Sequence, residues 1–482
     1  MFTFFKENGY VWETGMAGHF TYGPQGKLLK NNLENFFRRK FGREGDFMEI
    51  ETPVIFKRSV WENSGHWNKF RDPVVRTIKG KSFRIDKLLE EYGLLKDGQL
   101  YENLREDEVV SKLVELVDSG RMKLDEEDQL MIPNLEAEEV IEYQNLMMVT
   151  QSGHQECGLR PETATATFHH VHDLSQFCGH PETPIKVFQT GRSFRNEISP
   201  KHNLIRGREF TQAEFQVILL EKNKNDSSGL LDPNYNYQVN FWNPEKNAVE
   251  EVAMKDLPLV GETNQYYRDL IVFTYHHIFL ELGLPMENVR LRQHQEDERA
   301  FYALDAWDIE VNLKNPEKNP MGWIEVAGIH DRGGYDLRND EHYQDRHILE
   351  VAIGVDRLLY SILDNLYEEK SIAEGKNMFK IPYRLAPIQV SVLPLMKNKP
   401  ALVEEAQGIY RMLKSHFIVD YAEKKSIGKR YLKNAVRGIP YSLTVDFDTL
   451  EDSTVTVRDR DTEEQTRIPI DQLVGFLSNK FR

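Results

Sequence analysis

Gly191–Gln216, GRSFRNEISPKHNLIRGREFTQAEFQ, is the stretch of this 482-residue chain on which its fold turns. It overlaps two apolar-alternating runs, KVFQTGRSFRNE and REFTQAEFQVILL. Period-two alternation predicts two antiparallel strands joined by a long loop. Arg192, Arg195, Arg206 and Arg208 crowd this hairpin together with Glu197, Glu209 and Glu214. An arginine on such a strand can neutralise a phosphate, a glutamate can accept from an amino group, and Phe210 can stack on a base. Those contacts suit a bound nucleotide; the plain alternative is a charged surface hairpin with cross-strand ion pairs.

A second segment, residues 347–367, reads HILEVAIGVDRLLYSILDNLY. It predicts an apolar strand running to Gly354 and an amphipathic helix with Arg357 in its first turn. Gly354 permits close backbone approach to a ligand. The helix start offers free N–H groups and a positive dipole end, to which Arg357 adds a full charge. This makes a second anion site downstream of the first.

These segments resemble motifs 2 and 3 of the class II aminoacyl-tRNA synthetases, and within that class the glycyl-tRNA synthetases. The likeness extends to Arg160-Pro-Glu-Thr-Ala, Arg195-Asn-Glu-Ile-Ser-Pro and Arg208-Glu-Phe-Thr-Gln-Ala-Glu214. GHFTYGPQGKLLKNNLENFFRRKF, followed by EIETPVI, resembles motif 1, and Ser64-Gly-His66 and Asp72-Pro73 fit the same family. Ser426-Ile-Gly-Lys-Arg-Tyr431 and Thr444-Val-Asp-Phe-Asp-Thr-Leu-Glu-Asp452 resemble its anticodon-binding domain. Only about 86–145 and 222–260 fall outside the likeness.

The resemblance implies an α+β fold: a class II antiparallel-sheet catalytic domain at 1–380 with helical insertions, and a C-terminal α/β anticodon-binding domain at 381–482. Motif 1 falls at about 23–53, motif 2 at about 186–219 and motif 3 at about 347–366, with insertions at about 79–150 and 222–265. It further implies a cytoplasmic homodimer that activates glycine with ATP and Mg²⁺ and transfers it to tRNA(Gly). Arg195 and Arg357 are the implied catalytic arginines. The implied ATP contacts are these two with Asn196, Glu197, Ile205, Arg206, Arg208, Phe210, Glu325, Val326 and Gly354. Arg84, Glu162, Phe210, Gln212, Glu214, Glu350 and Ala352 are the implied glycine contacts, and Glu325 and Glu350 the magnesium candidates. Mg²⁺ keeps several waters and needs few protein carboxylates. Two alternatives stay open: a class II synthetase for another small amino acid, and a non-catalytic nucleic-acid-binding relative.

Composition bounds these readings. Hydrophobic residues make up 40% and charged residues 29%, an ordinary balance with room for two or three domains. No apolar run approaches bilayer length, and MFTFFKENGYVWETG lacks the pattern of a secretory signal, so a cytoplasmic setting is expected. The two cysteines, Cys157 and Cys178, form no Cys-x-x-Cys pair, so neither zinc nor a disulfide framework is expected. The net charge of −16 argues against a general nucleic-acid coat protein. Charge is local, however: YAEKKSIGKRYLKNAVR sets Lys424, Lys425, Lys429, Arg430, Lys433 and Arg437 against one acid, Glu423. With the resemblance, Lys429, Arg430, Lys433 and Arg437 become the candidate tRNA contacts.

Along the chain, periodicity predicts a long amphipathic helix near 24–42 and a strand around 50–56. The insertion at 79–150 is acid-rich and helical in period. That at 222–265, with NKNDSSG and DPNYNYQ, favours turns and loops. After a boundary near Pro382–Pro387, alternating strand and helix patterns predict a mixed, largely parallel sheet. Two positions depart from the family pattern. Ala352 stands where the family's Glu-Pro-Ser-x-Gly has serine, and Thr165 and Ala166 stand where an amide and a glycine are usual. Ala352→Ser should be tolerated, with glycine-dependent pyrophosphate exchange unchanged. Alanine activation by the unaltered protein would count against glycine as the substrate.

Overall fold

Residues 2–76, 82–85, 88–89, 94, 106–119, 142–179, 184–198, 200, 203–258, 264–296, 298–300, 302–314, 322–368 and 377–481 are described by the computed structural model. Among the described residues nine strands build one sheet: β1 Met48–Glu49, β2 Ile185–Phe194, β3 Glu209–Leu220, β4 Gln238–Asn243, β5 Ala248–Ala253, β6 Val289–Gln293, β7 Asp305–Asn312, β8 Trp323–Gly333 and β9 Arg346–Gly354. Their order is β5-β4-β6-β7-β8-β9-β3-β2-β1. All pairings are antiparallel except β4 with β6 and β2 with β1. The predicted hairpin is β2–β3, and the predicted strand–helix pair is β9 with the helix that follows it.

The alternation in β3 explains why this sheet has two different faces. Ala213, Phe215 and Val217 are buried on one side, where Phe215 meets Phe37, Phe41, Phe47 and Phe188. Phe37 ends helix α1, Pro24–Phe37, which carries Leu29, Leu33 and Phe36 into the same core. Pro24 sits at the helix start, where its missing N–H costs nothing. Helix α2, Gln265–Phe273, is buried along most of its length and completes this layer; Asn264 caps it by accepting from the Tyr267 N–H. The other face carries Gln212 and Glu214. In register with them lie Gly191 and Gln189 on β2, Gly354 and Ala352 on β9, and, across Ala352, Gly328 on β8.

Several local expectations need correction. The helix predicted near 24–42 is α-helical only to Phe37 and continues in wider π-helical turns over Arg38–Glu44. The strand read at 50–56 is two pieces, Met48–Glu49 and Ile55–Lys57, because Pro53 cannot donate to a ladder. The 222–265 insertion is not all loop: β4 and β5 form a hairpin that extends the main sheet. The helical reading of 79–150 lies mostly outside the described residues, although Glu106–Asp118 is a helix. Strands 71–76, 82–84 and 142–145 form a small antiparallel sheet beside it.

The C-terminal part has its own sheet and its own core. Its strands are β10 Val390–Pro394, β11 Val419–Tyr421, β12 Tyr441–Val445, β13 Thr454–Asp459 and β14 Gln465–Pro469, in the order β11-β10-β12-β13-β14. Only the β10–β11 and β10–β12 pairings are parallel, so the sheet is mixed rather than largely parallel. Buried Arg460 donates to the carbonyls of Ile381 (2.8 Å) and Gly438 (3.0 Å), and Tyr383 donates to Asp459 at 2.7 Å. These bonds tie the connecting segment to the smaller sheet. Truncating the central aromatic of the main core, Phe215→Ala, is expected to destabilise that part by about 3–5 kcal/mol, read as a lowered urea midpoint.

Candidate active site

A cavity of about 400 Å³ opens over the polar face of the main sheet. Arg195, Glu197, Ile205, Arg206, Phe210, Glu325, Val326, Gly354 and Arg357 line it, as do Glu162, Gln212, Glu214, Glu350 and Ala352. Residues from the two predicted anion sites therefore face one space. Arg84, Asn196 and Arg208 do not line it. Arg84 pairs with Asp72 at 3.1 Å on the small neighbouring sheet. Asn196 makes backbone bonds, its N–H to Leu146 and its carbonyl to the Gln144 amide. Arg208 donates to the Glu197 carbonyl at 2.9 Å and so holds the loop after β2.

One end of the cavity is arginine-rich. The Arg195 guanidinium lies 5.3 Å from the centre of the Phe210 ring and 5.5 Å from that of Phe70, and it donates to the Pro161 carbonyl. Arg206 donates to Glu197 at 2.8 Å. Arg357 belongs to helix α3, Val355–Leu366. It donates to the carbonyls of Ile205 (2.8 Å) and Glu325 (2.9 Å), and its Nη1 stands 3.2 Å from the Glu325 carboxylate. The neighbouring Asp356 anchors the helix start to β3 by accepting from the Thr211 N–H at 2.9 Å, and it also accepts from Tyr22.

The other end collects carboxylates. Glu214 accepts from the N–H and hydroxyl of Thr163 at 2.9 and 2.6 Å. Burial first, and then the charges of Glu162 and Glu350, push its carboxyl up to about 8. Glu162 accepts from the backbone N–H groups of Ala164 and Thr165. Glu350 stands 3.2 Å from Arg332, which is clamped in turn by Asp336 at 2.7 Å. Burial opposes ionisation of Glu350, but Arg332, aided by His330, overrides it and brings the carboxyl down to about 2. Burial lowers the proton affinity of His66, which lies 3.9 Å from Glu162.

The magnesium candidates part company here. Glu325 is half-exposed at the arginine-rich end and suits an ion shared with phosphates. Glu350 does not fit, because it is buried at the carboxylate end, away from the arginines that would hold the phosphates. Among the described residues, no group of three His, Cys, Asp or Glu side chains forms a preformed metal cage.

Arg332, His330 and Tyr302, which no motif singles out, also line the cavity, together with His66 of the Ser64-Gly-His66 segment. A signal was available in GIHDRGG, where Gly328, His330 and Arg332 alternate onto one face of β8.

The glycine–tRNA ligase of Thermococcus gammatolerans is 31% identical over 98% of this chain and 96% of its own length. The chain belongs to the glycine–tRNA ligase family. Family members from Pyrococcus horikoshii (31% identical, 97% of this chain and 96% of the relative) and Mesoplasma florum (29%, 99% and 98%) match equally widely. Residues 389–480 match the anticodon binding domain family. The fold is shared with the solved RNA binding domain of threonyl-tRNA synthetase from Cryptosporidium parvum Iowa II, at a TM-score of 0.58 and 18% identity, over 98% of this chain and 96% of that one.

Within the region that this glycine–tRNA ligase family member devotes to its anticodon-binding-type domain, helix α5, Ile427–Val436, divides the basic candidates. (Helix α4, Pro400–Leu413, precedes it.) Lys429 and Lys433 are exposed. Arg430 must be withdrawn as a tRNA contact: it is buried, and it donates to the carbonyls of Pro394, Ala422 and Leu395. Arg437 pairs with Asp420 at 2.8 Å.

Glu214 also yields a stability prediction. An acid held above its ordinary value keeps, in the folded protein, a proton that the unfolded chain has lost. Its contribution is fully present below the ordinary value of 4.5 and is lost as pH rises through about 8. Glu214→Gln should remove that slope and raise the urea midpoint of the substrate-free protein at pH 8 relative to the unaltered chain.

Proposed function

We propose that this chain is a glycine–tRNA ligase that joins glycine to ATP, releases pyrophosphate, and passes the glycyl group from the adenylate to the 3′ end of tRNA(Gly). One observation carries the reading: a single cavity presents arginines at one end and converging carboxylates at the other. Such a space matches a triphosphate joined to a zwitterion. The glycine carboxylate is already an anion, so it attacks the α-phosphorus without a dedicated base or a covalent enzyme intermediate. Catalysis then rests on positioning and charge neutralisation.

In this proposal Arg195 meets the α-phosphate and the carboxylate, held in place by its bond to Pro161 and by the two rings beside it. Phe210 offers a face to adenine. Glu197 accepts from the adenine amino group once Arg206 swings toward the phosphates. Arg357 meets the far phosphates from the start of α3. Mg²⁺, when bound with the phosphates at Glu325, supplies further charge neutralisation. The glycine ammonium takes the place among Glu162, Glu214 and Glu350. Its approach favours ionised Glu214, so glycine binding should release a proton near neutral pH.

Lys429 and Lys433 are the surface cations proposed to meet tRNA phosphates. A homodimer and a cytoplasmic setting belong to the same proposal. The exposed apolar residues Ile55 and Val149, on a three-stranded sheet beside the catalytic one, are compatible with a partner. Among the described residues no helix is long and apolar enough to cross a membrane.

Amino-acid-dependent ATP–pyrophosphate exchange across all twenty amino acids tests the activity: glycine should support exchange, and a flat response to every one would refute it. Arg357→Ala should lower kcat/KM for exchange by about 100-fold or more. Replacing Lys429 and Lys433 by alanine should leave exchange intact while weakening tRNA binding. The logarithmic salt dependence should fall by about 0.7–0.9 per lysine that meets a phosphate.

A further inference from the structure

We infer that His330 is the wall that excludes a methyl group from the amino-acid end of the cavity, an inference that rests on the glycine-activating reading above. The floor of that end is a row across three strands: Glu214 on β3, Ala352 on β9 and Gly328 on β8. Two of its three members carry one carbon or none beyond the backbone. Such a floor leaves room for a substrate side chain, and neither Ala352 nor Gly328 can rise to fill it.

The imidazole of His330 takes that room. A Cβ placed on Gly328 would meet His330 Cε1 at 2.8 Å, Nε2 at 3.4 Å and Nδ1 at 3.7 Å, so its three nearest neighbours all belong to this ring. The ring lines the cavity, turns its Cε1 edge toward the glycine and is mostly buried. Two neighbours keep it there. Nδ1 stands 3.3 Å from Glu350, its cross-strand partner, and the ring meets Tyr302 edge-on at 6.1 Å between centres. Tyr302 is itself packed under the Arg332 guanidinium at 3.9 Å. The imidazole is thus braced by the two groups that fix the carboxylate end, and a substrate methyl would have to displace it.

A braced ring rejects by steric overlap, which a close-packed site resolves only by moving side chains off their preferred positions. Cutting it back to a methyl should open a space of side-chain size directly beside the ammonium site. Glycine has nothing to place there; alanine does.

The test is ATP–pyrophosphate exchange with the full-length protein, comparing kcat/KM for alanine and for glycine. His330→Ala should raise the alanine-to-glycine ratio by about tenfold or more, chiefly through a lower KM for alanine, whereas His330→Gln, which keeps most of the bulk, should stay within about threefold of the unaltered protein. A His330→Ala protein that activates glycine but keeps the original ratio would overturn the inference. If that variant supports no exchange, His330→Val decides: a raised ratio supports the wall, and an unchanged one removes it. Failure of the unaltered protein to activate glycine at all would instead refute the underlying activity, and the inference with it.

Discussion

Three carboxylates share one small space with too few cations, and the rest of this molecule is arranged around that shortage. Like charges in a partly dry site cannot all ionise. Arg332 satisfies Glu350, and the backbone N–H groups at Ala164 and Thr165 satisfy Glu162. Among the described residues Glu214 is left with the hydroxyl and N–H of Thr163 as donors, and burial beside two other carboxylates favours its protonated form. The missing partner is a single positive charge of small size. An amino acid without a side chain brings one at the least cost in volume.

The sheet makes the shortage possible. Strands β3, β9 and β8 bring residues from distant parts of the chain into cross-strand register, so Glu214, Ala352 and Gly328 become neighbours although more than a hundred residues separate the first from the others. The opposite face buries Phe215 among other aromatics, which fixes the register: a one-residue slip would send phenylalanine into the cavity and glutamate into the core. The same alternation that buries the core therefore aims the acids.

Much of the site could be read from the chain because its parts lie close together in sequence. Arg195, Glu197, Phe210 and Glu214 sit on one hairpin, and Gly354 and Arg357 are three residues apart. His330 and Arg332 were missed because their meaning depends on which strand lies opposite, and alternation along β8 does not name its neighbour. The β4–β5 hairpin was hidden by the turn-forming residues before it. Arg430 illustrates the reverse error. A run of basic residues announces charge, but it does not say which side chain points inward to bind three carbonyls.

Arg160 and Gly191 carry a last consequence. Arg160 reaches from the Arg-Pro-Glu-Thr segment to Thr52 and to the Arg192 carbonyl, and its guanidinium occupies the space that any side chain at position 191 would need. Shape excludes a side chain at position 191, while hydrogen bonds hold Arg160 where it fills that space. A descendant of this chain can add a side chain at position 191 only after Arg160 has been shortened, so the order of change at this corner of the molecule runs one way.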